Sequence, residues 1–260
     1  MLYNVTLDEC FGVSYKDCVT VIGTGGKTSL IKYLARKKRH LKTLITTTTK
    51  MAPLNDEKRF YDYFWDYSFL EKNFPDPSLG ITLTGIVDKD TGKLTSLPID
   101  ALEGLVSYFD CVFIEGDGSR GLPLKAWRVY EPVVISSTTI TVGVLPLWTL
   151  GMVISEKIIH CLPLFMNLVD AREGEVLTLD HLVKVITGEN AKGLFASACG
   201  KRILFFNQVE SYSSFLQVKE LVSLLPEVFL SGLYKIIVGS VYEEKGAVLW
   251  ECGRFIKTMH

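Results

Sequence analysis

Short apolar, β-branched runs alternate along the chain with stretches in which apolar residues recur every three or four positions. That alternation predicts an α/β fold, a mostly parallel sheet with helices on both faces. Residues 18–22 read as a buried parallel strand, followed by Leu30, Ile31, Leu34 and Ala35 at helical spacing. Further strands are expected at 41–47, 111–114, 139–145 and 203–206, with a final pair at 236–241 and 247–250. Residues 81–87 and 93–97 flank Asp88-Lys89-Asp90-Thr91-Gly92, the signature of a β-hairpin insertion. Asp100 is placed to cap a helix carrying Leu102, Leu105, Val106 and Phe109, and helices are expected at 156–168, 180–186 and 215–225. The aromatic run Phe60, Tyr61, Tyr63, Phe64, Trp65, Tyr67 and Phe69 reads as a packed helix face, with a partner surface as the alternative.

Residues 132–155 lack any Asp, Glu, Lys or Arg and are long enough to span a bilayer. Ser136, Ser137, Thr138, Thr139, Thr141, Gly143, Pro146 and Gly151 interrupt them, so a buried strand followed by a loop is expected and no membrane association. A chain of 260 residues forms one large α/β domain, with room for a small subdomain within 130–200. Its net charge of −1 leaves no electrostatic footprint for nucleic acid. The scattered cysteines Cys10, Cys18, Cys111, Cys161, Cys199 and Cys252 form no Cys-x-x-Cys pair and read as reduced thiols of a cytoplasmic protein. The amino terminus lacks the basic region of a secretory signal.

The chemistry concentrates at Gly23-Thr24-Gly25-Gly26-Lys27-Thr28-Ser29, between a strand and a helix. Three glycines in four positions let backbone N–H groups converge on an anion, and the helix start adds its positive dipole end. Lys27 is placed to reach the β/γ-phosphates of ATP or GTP, and the Thr28 hydroxyl, assisted or replaced by Ser29, to coordinate Mg²⁺. The loop is shorter than the full Walker pattern, since Val21 stands where that pattern has a glycine, and is closer to the compact form of Mur-type ligases.

A second cluster, Glu115-Gly116-Asp117-Gly118-Ser119-Arg120, follows an apolar strand. In an open α/β sheet it emerges on the same edge as the glycine loop. One of Glu115 and Asp117 would bind Mg²⁺ and the other orient the attacking water or a substrate hydroxyl, with Arg120 and Lys125 supplying positive charge. A solvent-exposed acidic turn is the alternative. The third cluster, Asn207-Gln208-Val209-Glu210, is similar to the Asn-Lys-x-Asp base-reading element of GTPases. Gln208 replaces its lysine and Glu210 is one methylene longer than its aspartate, so Asn207 is either a base contact or part of an ordinary strand-end turn.

These motifs in order, together with Thr46-Thr47-Thr48-Thr49-Lys50-Met51 and Glu131-Pro132, resemble the YqeC family over roughly residues 19–210. Its members are described as accessory proteins of selenium-dependent molybdenum hydroxylases. The resemblance implies a P-loop NTPase-like fold, with roles on Lys27, Thr28, Lys50, Glu115, Asp117 and Lys125. It also implies a molybdenum hydroxylase client or a pterin cofactor as partner. The leading expectation is a Mg²⁺-dependent NTPase in which Lys27, Glu115 and Asp117 are catalytic and nucleotide state is coupled to client binding. A small-molecule kinase or Mur-like ligase, with Arg120 and Lys125 as anion clamps, is a second reading. A nucleotide-binding scaffold without turnover is a third.

Overall fold

A computed structural model describes residues 3–51, 60–69, 74–188 and 193–256. Its principal strands are β1 (Cys18–Gly23), β2 (Lys42–Thr47), β3 (Gly80–Val87), β4 (Cys111–Glu115), β5 (Ile140–Pro146), β6 (Lys201–Asn207), β7 (Lys235–Ser240) and β8 (Lys245–Glu251). Its longer helices are α1 (Lys27–Lys37), α2 (Ile99–Val106), α3 (Leu162–Val169), α4 (Leu179–Thr187) and α5 (Tyr212–Ser223). The order across the sheet is β3-β2-β4-β1-β5-β6-β7-β8. Neighbours run parallel from β3 to β7, and β8 closes the series antiparallel to β7.

Alternation along the strands explains why helices cover both faces. Val19 and Val21 of β1 bury with Leu30, Ile31 and Leu34 of α1, on the face that also takes Phe113, Val142, Val144 and Phe205. Their neighbours Ile22, Leu145, Leu204 and Phe206 bury instead with Leu182 and Val185 of α4 and Leu221 and Val222 of α5. Leu44, Val112 and Ile114 pack against Leu102 and Leu105 of α2.

The parallel register brings the carboxyl ends of these strands to one edge. Val21 and Thr47 flank Glu115, Val144 pairs with Gly23, and Pro146 with Asn207. All three sequence clusters therefore emerge on one rim of the sheet.

Several local expectations are corrected. The aromatic run forms no helix face: Tyr63–Asp66 is a strand parallel to β3, followed by a 3₁₀ turn. Aromatic residues suit a pleated edge as well as a helix, and here Trp65 turns inward against Phe74 and Phe109 while Tyr63, Phe64 and Phe69 stay exposed. Pro98, not Asp100, precedes α2; Asp100 lies in its first turn, and Phe109 is buried beyond its end. The helix expected at 156–168 starts only at Leu162, because Ile159–His160 pairs with Leu124–Lys125 as a separate two-stranded sheet and Cys161 turns left-handed between them. A short helix, Leu7–Phe11, had no clear signature in the pattern.

Other expectations hold. Val87 pairs with Leu94 and Ile86 with Thr95 in the antiparallel hairpin, and the uncharged stretch supplies the buried strand β5. No helix of the described residues is long and apolar enough to cross a membrane.

Phe205 is fully buried in β6, edge-on to Phe11 at 5.2 Å between ring centroids, and joins the sheet to the amino-terminal helix. Phe205→Ala is expected to cost about 3–5 kcal/mol of stability, read as a lower urea midpoint; a loss under about 1 kcal/mol would show that this contact is not part of the close-packed core.

Candidate functional site

The glycine loop is built by the end of β1 turning sharply into α1. Thr24 N–H donates to Val144 O at 2.9 Å, carrying the β1–β5 pairing one residue past the strand. Gly25 and Gly26 then take φ of 77° and 117°, and a Cβ on Gly26 would collide with the Asn207 amide nitrogen. Only glycine suits such a position. Asn207 fixes the loop from the neighbouring sheet: its Nδ2 donates to Gly25 O at 2.8 Å, and its Oδ1 accepts from Val241 N–H at 3.0 Å. No side chain caps α1, so the N–H groups of its first turn, at Lys27, Thr28 and Ser29, are left without an intrahelical acceptor.

Beneath the loop lies a buried array of charges. Glu115, the last residue of β4, accepts from Thr28 Oγ1 at 2.7 Å. The run Thr46 to Thr49 holds the adjoining backbone, with Thr47 Oγ1 and Thr48 N–H both donating to Glu115 O at 3.0 Å. Burial pushes the Glu115 carboxyl above the ordinary carboxylate range, with Asp117 acting in the same sense; Lys27 and the Thr28 hydrogen bond pull it back.

Asp117 is completely enclosed. Both its oxygens accept from Gly23 N–H at 3.1 Å, and Oδ2 accepts from Trp127 Nε1 at 2.6 Å. Lys27 Nζ stands 3.3 Å from Oδ1 and Lys125 Nζ 3.4 Å from Oδ2. Lys27 also donates to Gly23 O at 2.6 Å, and Lys125 to Gly118 O at 2.7 Å with Glu131 Oε2 at 3.3 Å.

The family model of the YqeC protein matches residues 19–163, more than half of the chain and all of this array. The chain belongs to the YqeC family. A relative from Escherichia coli strain K12, described as uncharacterized protein YqeC, is 28% identical over 225 residues, covering 80% of this chain and 82% of its own length. No solved structure gives a significant match.

Within this family member the structure brings together Gly23, Thr24, Gly25, Gly26, Lys27, Thr28, Glu115, Asp117, Lys125 and Asn207. Ser29 follows on the wall of a cleft that also contains Gly26. Two expected contacts stand apart. Lys50 is exposed on a short strand, and its ammonium pairs with Asp88 of the hairpin at 3.3 Å. Arg120 sits in an exposed left-handed turn; burial, and then the charges of Lys125, Arg120 and Arg128, lower the pKa of His160. Trp127 was not anticipated as a partner of Asp117. The clue in the sequence was its place two residues after Lys125, in an extended stretch where alternate side chains share a face.

Two predictions follow from the charges. Asp117→Asn leaves Lys27 and Lys125 without their shared counter-charge, and a loss of about 3–5 kcal/mol is expected by chemical denaturation; an unchanged midpoint would show that the cluster is not held by this carboxylate. Glu115 is raised in the folded state, so the native protein holds its proton to higher pH than the unfolded chain. Stability without divalent cations should therefore fall as pH rises from the ordinary carboxylate range through the folded pKa. Glu115→Gln should flatten that part of the stability–pH curve, and an equally steep curve in the variant would remove Glu115 as its source.

Proposed function

We propose that the protein is a Mg²⁺-dependent, P-loop-type nucleotide-binding protein that hydrolyses its nucleotide slowly. We further propose that it serves as an accessory factor in maturation of, or cofactor insertion into, a selenium-dependent molybdenum hydroxylase. The observation that carries the nucleotide reading is the Thr28 Oγ1–Glu115 Oε2 hydrogen bond of 2.7 Å beside an uncapped helix start and a buried lysine.

Mg²⁺ prefers hard oxygen ligands and keeps several waters, taking one or two protein oxygens together with phosphate oxygens. Thr28 and Glu115 fit that donor set, directly or through water. The free N–H groups at Lys27, Thr28 and Ser29 would receive the phosphates. Lys27, which rests on Gly23 O and Asp117, would extend its ammonium toward their negative charge. Bound Mg²⁺ would supply charge neutralisation on the phosphoryl oxygens.

The contacts of the two acids support different roles for them. Asp117 spends both oxygens on Gly23, Trp127 and two ammonium groups, which suits a positioning residue better than a metal ligand. Lys125 is likewise enclosed by Asp117, Gly118 and Glu131, which weakens the kinase or ligase reading that needs it as an anion clamp.

Family membership supports the accessory role, and a physical link supports coupling to a client. Trp127, the partner of Asp117, also lines a cleft of about 410 Å³ with Arg128, Glu131, Leu164 and Ser197. Drawing Lys27 away from Asp117 toward phosphate would change the charge balance that orients Trp127, so nucleotide state would be felt at that cleft.

The test is calorimetric binding of ATP and GTP, with and without Mg²⁺, to wild type, Lys27→Ala and Thr28→Ala. Lys27→Ala is expected to weaken binding by about 10- to 100-fold, as for loss of a charged hydrogen bond, and Thr28→Ala to abolish most of the Mg²⁺ dependence. A folded wild type that binds neither nucleotide at millimolar concentration would refute the nucleotide reading.

A further inference from the structure

A cleft of about 620 Å³ starts at the glycine loop and runs outward between α1 and the ends of β6 and β7. Its walls include Gly26 and Ser29 of the loop and helix start, together with Phe60, Gln208, Glu210 and Tyr242. A nucleotide with its phosphates on the loop would have this space for its sugar and base, so the groups along it decide which base is accepted. Asn207, also in the wall, is oriented by the loop, with its Nδ2 on Gly25 O and its Oδ1 on Val241 N–H, which leaves one amide N–H and one oxygen lone pair for a ligand. Glu244, also in the wall, is paired with Arg36 at 3.1 Å and Lys37 at 3.3 Å.

Glu210 is different. Its Oε1 accepts from Ser240 Oγ at 2.6 Å, and Ser240 is fully buried at the end of β7, so the carboxylate is anchored at a fixed place in the cleft wall. Its second oxygen accepts no hydrogen bond from any described residue. Gln208 is held in turn by Trp148 Nε1, which donates to its Oε1 at 2.7 Å. Phe60, whose ring lies under the Lys32 ammonium at 4.4 Å from its centroid, and the exposed Tyr242 add aromatic side chains to the cleft wall.

A carboxylate only accepts. Guanine presents two adjacent donors to it, the N1–H and the 2-amino group. Adenine presents its 6-amino donor beside the N1 lone pair, which a carboxylate repels. We propose that the cleft selects a guanine nucleotide and that Glu210, positioned by Ser240, is the residue that reads the base. The proposal deepens the nucleotide-binding reading above and rests on it.

The experiment compares binding of GTP, ATP and xanthosine triphosphate, each with Mg²⁺, by calorimetry to wild type, Glu210→Gln and Ser240→Ala. Glu210 is exposed, so its replacement should leave the fold intact, checked by thermal unfolding. Wild type is expected to bind GTP at least about tenfold more tightly than ATP, the discrimination typical of a bidentate base contact. Glu210→Gln should lose that preference and gain affinity for xanthosine triphosphate, whose 2-carbonyl accepts from the new amide. Ser240→Ala should narrow the GTP preference without reversing it. Equal binding of ATP and GTP, tighter ATP binding, or a GTP preference that survives Glu210→Gln overturns guanine reading by Glu210 while leaving nucleotide binding in place. Failure of every nucleotide to bind folded wild type overturns the nucleotide reading itself, and guanine selection with it.

Discussion

The site depends on one buried carboxylate. Asp117 has no contact with solvent, yet two ammonium groups, an indole N–H and a backbone N–H converge on it. An isolated charge there would be prohibitively costly, and so would either lysine alone. Together they are tolerable because each lone pair and each positive charge has a partner. The consequence is geometric: the carboxylate ties the end of β1 to the segment after β4 and to the Leu124–Lys125 strand, fixing where the glycine loop starts. Asn207 secures the other side of the same loop through Gly25. The turn is held between two strands' worth of side chains, which fix the direction of its N–H groups.

Much of this was legible in the sequence. Parallel strands, glycine loop and acid-bearing strand end follow from local composition, since a buried parallel strand must be apolar throughout and a left-handed turn must be glycine. The difference in surroundings between Glu115 and Asp117 was not legible. They lie two residues apart, both acidic and both next to glycine, and nothing local distinguishes them. What separates them is tertiary: Thr28 comes down on Glu115, while Lys125 and Trp127 fold back over Asp117. The enclosure of Lys125 was hidden for the same reason, because its partners Asp117 and Glu131 are recognisable only once the chain has turned back.

The aromatic run failed in another way. Seven aromatic side chains in ten positions carry no period, so density alone suggested burial without giving an element. A strand on the outer side of β3 uses such residues unevenly, with Trp65 inward and Tyr63 and Phe64 outward. Phe60, at the start of the same run, belongs to neither group, and its ring reaches the wall of the cleft beside the glycine loop. One stretch of sequence thus serves the sheet edge and the candidate ligand cleft, which is why a packed helix face does not describe it.

The same reasoning explains why two substitutions relative to a GTPase-like element need not cancel its chemistry. A base-reading acid has to be an acceptor, has to be fixed, and has to lie at the far end of a space that begins at the phosphates. Glu210 is longer than aspartate, which alone would leave it freer to move and less discriminating. Ser240 offsets that freedom by holding one oxygen from the buried end of β7, and Val241 beside it anchors Asn207, which anchors the loop. One strand end therefore sets both Glu210 and the glycine loop. In the proposed guanine site, the length of the Glu210 side chain would govern how far the base stands from β7, and the hydrogen bond from Ser240 how sharply it is read.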